Sequence, residues 1–368
     1  MIRILQIVDC MDLGGIQTFI MNTYRAIVKK GIQYDFLTFH SRKQFFEDEI
    51  TELGGRMYKI PSRRDGWLKT RKALSEFFDK HKEYDVVHYH TSSLSFLAPL
   101  EIAQKKGVSI RIVHSHSTNA PGGRIHAVLH RINRKRVKTI ATDFFACGTL
   151  AGRWMFSGSG CENKVKLINN GIDIAHYSFD PIIREKMRDQ LGVKGCFVIG
   201  HVGRFSEVKN HHFLLRVFKE YLLSSGDEKA RLLLIGDGAL RTQIEDQAKK
   251  LSIFDKTVFL GARKDVAELL QAMDYLVMPS LYEGFPVTAI EAQAAGLPCV
   301  LSDSITGDAV IKENVQMLSL SLTPLIWAKA IAKNTPRLVD NTSLISAGYD
   351  MKQTVDSLYN VYSKGSTN

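Results

Sequence analysis

Two carboxylates eight residues apart, Glu283 and Glu291, bracket a stretch in which Gly284, Phe285, Pro286, Val287 and Thr288 follow one another. Proline suits the first turn of a helix, so residues 287–295 are expected to be helical. A side chain a turn and a half into that helix leans back toward its start. Glu283 and Glu291 are thereby aimed at one pocket, with unsatisfied helix N–H groups between them. Carboxylates accept hydrogen bonds from hydroxyls, and helix N-termini attract anions. The stretch suits a polyol that carries an anion, and a sugar joined to a phosphate is both.

Cations stand in a second stretch, where Arg204 and Lys209 follow Gly203 on the way out of an apolar run. Arginine offers a planar fork to phosphate oxygens and lysine a mobile point charge, so the pair suits a diphosphate. Near the start, Gly14 and Gly15 lie between a strand pattern and a helical one. That turn can hold an anion on backbone amides or simply be tight. It is neither G-x-G-x-x-G nor a P-loop.

These groups need a scaffold, and the pattern of the chain supplies one. Short β-rich runs at 4–8, 34–38, 86–89, 110–113, 144–146 and 165–168 alternate with helical patterns at 18–30, 68–81 and 95–106. The alternation repeats with strands at 197–202, 232–235, 258–260, 275–278 and 299–301 and helices at 210–223, 239–251 and 266–272. Strands alternating with helices read as parallel α/β sheets. For 368 residues, two Rossmann-like domains are expected. The boundary is expected in the turn-rich stretch 169–173, giving domains 1–173 and 174–348. A C-terminal helix at 349–364 would return to the first of them.

The net charge of +11 is confined to one half of the chain. Residues 1–176 hold 27 Lys+Arg against 16 Asp+Glu, whereas residues 177–368 hold 22 of each. Such a surface faces an anion: nucleic acid, phospholipid or a phosphorylated substrate. Hydrophobic residues at 45% and charged residues at 24% exclude a disordered or fibrous chain. No apolar run approaches a membrane span, and the first residues lack a signal-peptide core, so a cytoplasmic location is expected. Five scattered cysteines without C-x-x-C spacing indicate neither a disulfide framework nor a zinc cluster.

The E-x7-E spacing of Glu283 and Glu291, the loop Gly203-Arg-Phe-Ser-Glu-Val-Lys209, Gly236-Asp-Gly238 and Asn170-Gly-Ile-Asp173 together resemble family 4 retaining glycosyltransferases of the GT-B fold. The stretch 141–154 further resembles their bacterial exopolysaccharide and capsule branch. The resemblance spans nearly the whole chain. It implies two Rossmann-like domains facing each other across a cleft, with a nucleotide-sugar donor on the second and a saccharide acceptor on the first. It implies transfer of a hexosyl unit, with retention, from a UDP-sugar.

Roles follow by resemblance. Gly14 and Gly15 would contact donor phosphates, and Arg204 and Lys209 would neutralise the leaving diphosphate. Glu283 would contact sugar hydroxyls and Glu291 the ribose. Backbone N–H groups from Gly284 to Val287 would line sugar and phosphate, while Ala262 and Arg263 would meet the base. A family histidine near the sugar matches His114 or His116, with His116 preferred. Gln17 departs from the glutamate many members carry there. His88 and His90 read as lining the acceptor site or as packed side chains. No D-x-D occurs, so the two cations would serve in place of a metal, and no cofactor is expected.

Residues 124–138 read as a helix with Ile125, Val128, Leu129, Ile132 and Val137 as apolar members. Arg124, Arg131, Arg134, Lys135, Arg136 and Lys138 spread over the rest. A basic amphipathic helix either packs on its own sheet or docks on anionic lipid. The latter would place the protein peripherally on the inner face of the cell membrane, near a lipid-linked acceptor. Two other readings compete: a GT-B-type nucleotide-sugar epimerase, and a basic nucleic-acid-binding protein. Against the second, residues 124–140 lack interleaved aromatic platforms, and no nucleic-acid partner is expected.

Overall fold

In the computed structural model, residues 2–12, 14–117, 123–283, 285–332 and 334–366 are described. The chain divides into two units, Met1–Gly171 with Met351–Asn368, and Ile172–Asp350. The first unit thus ends two residues before 173, and the returning segment begins at 351 rather than 349.

The first unit is a seven-stranded parallel sheet of β1 (Ile2–Ile7), β2 (Ile32–Thr38), β3 (Met57–Lys59), β4 (Val86–Thr91), β5 (Ile110–Ser115), β6 (Asp143–Ala146) and β7 (Val165–Leu167). Its order is β3-β2-β1-β4-β5-β6-β7. Helices cover both faces, which is why every residue of β2 is buried. The C-terminal helix Met351–Tyr362 lays Val355, Leu358 and Tyr362 into the core beside Ile4, Phe19 and Tyr34. Spacings of three and four put those side chains on one stripe.

The second unit is a six-stranded parallel sheet of β8 (Val198–Val202), β9 (Arg231–Ile235), β10 (Thr257–Gly261), β11 (Tyr275–Met278), β12 (Cys299–Ser302) and β13 (Val315–Leu318), ordered β10-β9-β8-β11-β12-β13. In each unit the strand order reverses once, between β1 and β4 and between β8 and β11. Open parallel sheets bind ligands at the carboxyl ends of strands flanking such a reversal. All three stretches singled out in the sequence leave from those strand ends.

Two strands escape the sequence reading. β3 and β13 are three- and four-residue edge strands. Cys147, Cys161 and Cys299 are buried. Among the described residues, no helix is long and apolar enough to cross a membrane.

Candidate functional site

In the second unit, β8 runs into the loop carrying Arg204 and Lys209, which a backbone crossing holds in place. Gly236 and Gly238, at φ of 137° and 159°, lie flat against that loop. A Cβ on Gly236 would stand 2.0 Å from Gly203 O, and one on Gly238 2.4 Å from Phe205 O. Only glycine tolerates both the backbone conformation and the approach. Gly203 N–H donates to Ile235 O at 2.9 Å and Phe205 N–H to Asp237 O at 3.0 Å, extending the β8–β9 ladder into the loop.

The loop after β11 is tied to this one. Leu281 N–H donates to Val208 O at 2.8 Å, and Asn210 Nδ2 donates to Pro279 O at 3.1 Å. These ties bring Lys209 Nζ to 2.6 Å from Glu283 Oε1, with both side chains largely shielded from solvent. Cation and carboxylate, separate in the sequence reading, form one unit. Arg204 is exposed and makes no ion pair among the described residues.

Glu291 lies in the helix Val287–Ala294. Tyr177, from the short helix Ile174–Tyr177, donates its hydroxyl to Glu291 Oε1 at 2.9 Å. Burial pushes the Glu291 carboxyl up to about 7, and the Tyr177 hydrogen bond offsets part of the rise. Nothing in one-dimensional spacing pointed to Tyr177, 114 residues away.

One expectation needs correction. Pro286 has no amide hydrogen, and Val287 N–H is engaged by Phe285 O at 3.1 Å, so neither of these two offers a free donor. Gly284 lies outside the described residues. Phe285 stacks on Tyr349 at 5.5 Å, and Thr288 sits in the first helical turn. Beyond β10, Ala262 precedes Arg263, whose Nε donates to Asp265 Oδ1 at 2.7 Å.

In the first unit, Gly14 caps the helix Gly15–Ile27 in extended backbone with no side-chain hydrogen bond. A Cβ on Gly15 would meet nothing within 4 Å, whereas one on Gly14 would stand 2.5 Å from Gln17 Oε1. Beside it lies a cavity of about 780 Å³ lined by Asp9, Gln17, His40, Arg63, Trp67 and His90 among others. His116, at the end of β5, is 8% exposed, while His88 and His114 are fully buried. His88 is packed, and His90, itself buried, borders this cavity. Burial pushes the His116 ring down to about 3.

The H-x-H pairs of β4 and β5 bring His88, His90 and His114 together, and Asp9, Cys10 and His40 form a second close group. The spacing read in sequence missed both, because register across strands assembles them.

The basic helix Arg124–Ile140 forms as expected, but most of its apolar members do not pack on the sheet. Ile125, Val128, Leu129 and Ile132 are 74, 56, 37 and 52% exposed, and of the named apolar members only Val137 is buried. His130 and Asn133 face inward instead. His130 Nδ1 accepts from Leu94 N–H at 3.0 Å, and Asn133 Nδ2 donates to Leu94 O at 2.7 Å. Two cations are tied to groups of the same unit, Arg134 half-buried and Arg136 exposed. Arg134 donates to Ser157 O at 3.0 Å and Trp154 O at 3.1 Å, and Arg136 pairs with Glu101 at 2.8 Å. Arg124, Arg131, Lys135 and Lys138 are exposed.

Comparison with known proteins places this geometry. The family "Glycosyltransferase Family 4" matches residues 13–176, and "Glycosyl transferases group 1" matches residues 183–335. EpsF of Bacillus subtilis (strain 168), a glycosyltransferase by name, is 36% identical over 98% of this chain and 96% of its own. The UDP-Gal:alpha-D-GlcNAc-diphosphoundecaprenol alpha-1,3-galactosyltransferase of Escherichia coli is 25% identical over 95% of this chain and 94% of its own. Among solved structures, Anabaena HepE in complex with UDP and glucose superposes with a TM-score of 0.78 at 18% identity, covering 99% of this chain and all of that one. The two parallel-sheet units are those of the GT-B fold, and the chain is an enzyme that belongs to the family 4 glycosyltransferases.

Proposed function

We propose that the protein transfers a hexosyl unit, with retention, from a UDP-sugar to a saccharide carried on a lipid diphosphate, during cell-surface polysaccharide assembly. The observation that carries the reading is the Lys209–Glu283 pair beside Arg204 at the end of β8. Lysine and arginine there meet the negative charge that grows on a departing diphosphate, and preorganised charge of this kind lowers a barrier. Glu283, oriented by Lys209, accepts hydrogen bonds from sugar hydroxyls, and Glu291 accepts from the ribose. Gly14 and Gly15 offer the helix amides to the donor phosphates, and His116 faces the donor sugar. The acceptor hydroxyl attacks the anomeric carbon on the face the diphosphate leaves, and its proton passes to the leaving phosphate oxygen. No protein nucleophile is needed. The names of the Escherichia coli relative and of the HepE complex support UDP as the nucleotide.

The same reading assigns metal-free catalysis, since two cations already face the diphosphate. It assigns the exposed face of the helix Arg124–Ile140 to an anionic membrane surface on the cytoplasmic side. Four exposed aliphatic side chains beside exposed Arg124, Arg131 and Lys135 complement a lipid headgroup layer, each cation adding about 1 kcal/mol.

The test combines the full chain, a panel of UDP-hexoses and a GlcNAc-diphospho-lipid acceptor, with and without EDTA. An α-linked product formed at similar rates in both is expected. A β-linked product, or activity abolished by EDTA and restored by Mg²⁺, would overturn the mechanism. Co-sedimentation with anionic vesicles, weakened by salt and by Arg124→Ser with Arg131→Ser and Lys135→Ser, is expected. Equal binding to neutral vesicles rejects the membrane assignment.

A further inference from the structure

Residues two apart on a strand share a face, so His88 and His90 of β4 and His114 of β5, with His116 just past its end, form a square of imidazoles on one side of the sheet. The register sets His90 opposite His114. Phe19, from the helix that begins at Gly15, covers the square with ring centroids 5.3 Å from both His114 and His116.

Two hydrogen bonds run across the strands. His88 Nε2 and His114 Nδ1 are 3.1 Å apart, in rings only 5° from parallel. His90 Nδ1 and His116 Nε2 are 2.8 Å apart. In both pairs a ring lone pair is spent on its neighbour's N–H rather than converging with others on a cation, which would need Zn–N distances near 2.0–2.1 Å.

The pairs end differently. His88 Nδ1 meets the Tyr362 hydroxyl at 2.6 Å, and His114 Nε2 is buried with no partner among the described residues. That pair is closed inside the core. The other begins at Gln6, whose Oε1 lies 2.8 Å from His90 Nε2, and ends at His116 on the strand end. A carbonyl oxygen only accepts, so His90 Nε2 carries the hydrogen. In a neutral imidazole the other nitrogen is then an acceptor, and His116 Nε2 must donate to it. His116 is left with Nδ1 as its one acceptor. Burial favours the neutral form of both rings.

We propose that Gln6 and His90 are positioning residues that lock His116 in its Nε2–H tautomer, so that Nδ1 accepts a hydrogen bond from a sugar hydroxyl. The lock concerns this chain alone, whereas the hydroxyl rests on the proposed reading that His116 faces the donor sugar. A ring free to exchange tautomers would present N–H to that hydroxyl part of the time and misorient it.

The experiment is long-range ¹H–¹⁵N correlation on the full chain labelled at histidine, with His116 assigned from His116→Gln, alongside steady-state kinetics. The expected wild-type spectrum shows His116 protonated at Nε2 and bare at Nδ1. His90→Phe keeps a flat ring but offers no acceptor. It is expected to give a tautomer mixture and lower kcat tenfold or more, with KM for the nucleotide sugar within about twofold. His90→Asn places Oδ1 where Nδ1 stood, and is expected to restore both readouts to within about threefold of wild type. A His116 protonated at Nδ1 in the wild type overturns the proposal. So does His90→Phe with an unchanged tautomer, or a folded His90→Asn as impaired as His90→Phe. If the spectra behave as expected but no hexose is transferred, the lock stands and the assignment of the sugar fails.

Discussion

The two units present their chemistry in opposite electrostatic states. In the second, the groups at the strand reversal are ions: Lys209 holds Glu283 at 2.6 Å, and Arg204 stands exposed. In the first, the group on β4 and β5 is a set of imidazoles whose charged form burial disfavours, joined to one another rather than to carboxylates. A paired, partly solvated ion keeps its charge because partner and water together stabilise it. An imidazole deep in a sheet loses its proton because nothing nearby replaces the lost hydration. The ionic region is suited to meet charge that develops during a reaction, and the neutral one to orient hydroxyls.

The comparison breaks most directly at Lys209. Lys209→Ala removes a preorganised cation and leaves Glu283 unpaired, and Arg204→Ala removes the exposed one. Each is expected to lower kcat by about 10²–10³-fold in initial-rate assays of transfer. If His116→Ala costs more than Lys209→Ala, the division of labour between the regions is wrong.

Acid sharpens it. Burial depresses His88, His90, His114 and His116 in the first unit and His201 and His211 in the second. A histidine whose folded pKa is lowered lets the unfolded chain bind the extra proton. Below the ordinary value of about 6.5, each such group lowers stability by roughly 1.4 kcal/mol per pH unit. Hydrogen exchange between pH 6.5 and 5 is expected to show β4–β5 opening with a steeper pH dependence than β8–β11. Equal slopes would mean that the imidazole square is not held neutral.

Glu291 carries the reverse sign. Its folded value of about 7 lies above the ordinary 4.5, so the folded state holds the proton longer. Its contribution is complete below pH 4.5 and is lost as pH rises toward 7 and beyond. Glu291→Gln stays neutral, and its stability relative to wild type is expected to grow from near zero at pH 4 to on the order of 3 kcal/mol at pH 8. Nucleotide affinity should fall about tenfold in the same variant at pH 8, where charge-assisted hydrogen bonds become neutral ones. Calorimetry and thermal unfolding across pH read both, and a flat difference between the proteins would refute the buried-carboxyl account.

The smallest effect separates two neighbours on the basic helix. Arg134→Ser loses hydrogen bonds to the Ser157 and Trp154 carbonyls and is expected to cost about 1–2 kcal/mol. Lys135→Ser, exposed, should stay within about 0.5 kcal/mol. Denaturant midpoints distinguish them, and equal values would return Arg134 to the outer surface.

What could be read along the chain is what repeats or ends locally. Alternation of apolar runs and helical stripes located eleven of the strands now seen, because burial on both faces of a parallel sheet writes each strand as a short apolar run. The cations at Arg204 and Lys209 were visible because a loop at a strand end is itself local, whereas Gly236 and Gly238 stood out only as part of a family motif and their crossing with that loop came from the fold. The helix Pro181–Gln190, capped by Asp180, carried a legible start of aspartate then proline that the reading passed over.

Everything that depended on register stayed hidden until the chain was folded. Tyr177 reaches Glu291 across 114 positions, and His116 reaches His90 only because β5 pairs with β4. The helix Arg124–Ile140 has an apolar stripe in sequence, yet the fold turns His130 and Asn133 inward, since Leu94 presents backbone groups that need partners. Local propensity names the elements and the charged loops. Which nitrogen donates to which, and which stripe of a helix meets water, is settled by the tertiary requirement that buried polar groups be paired.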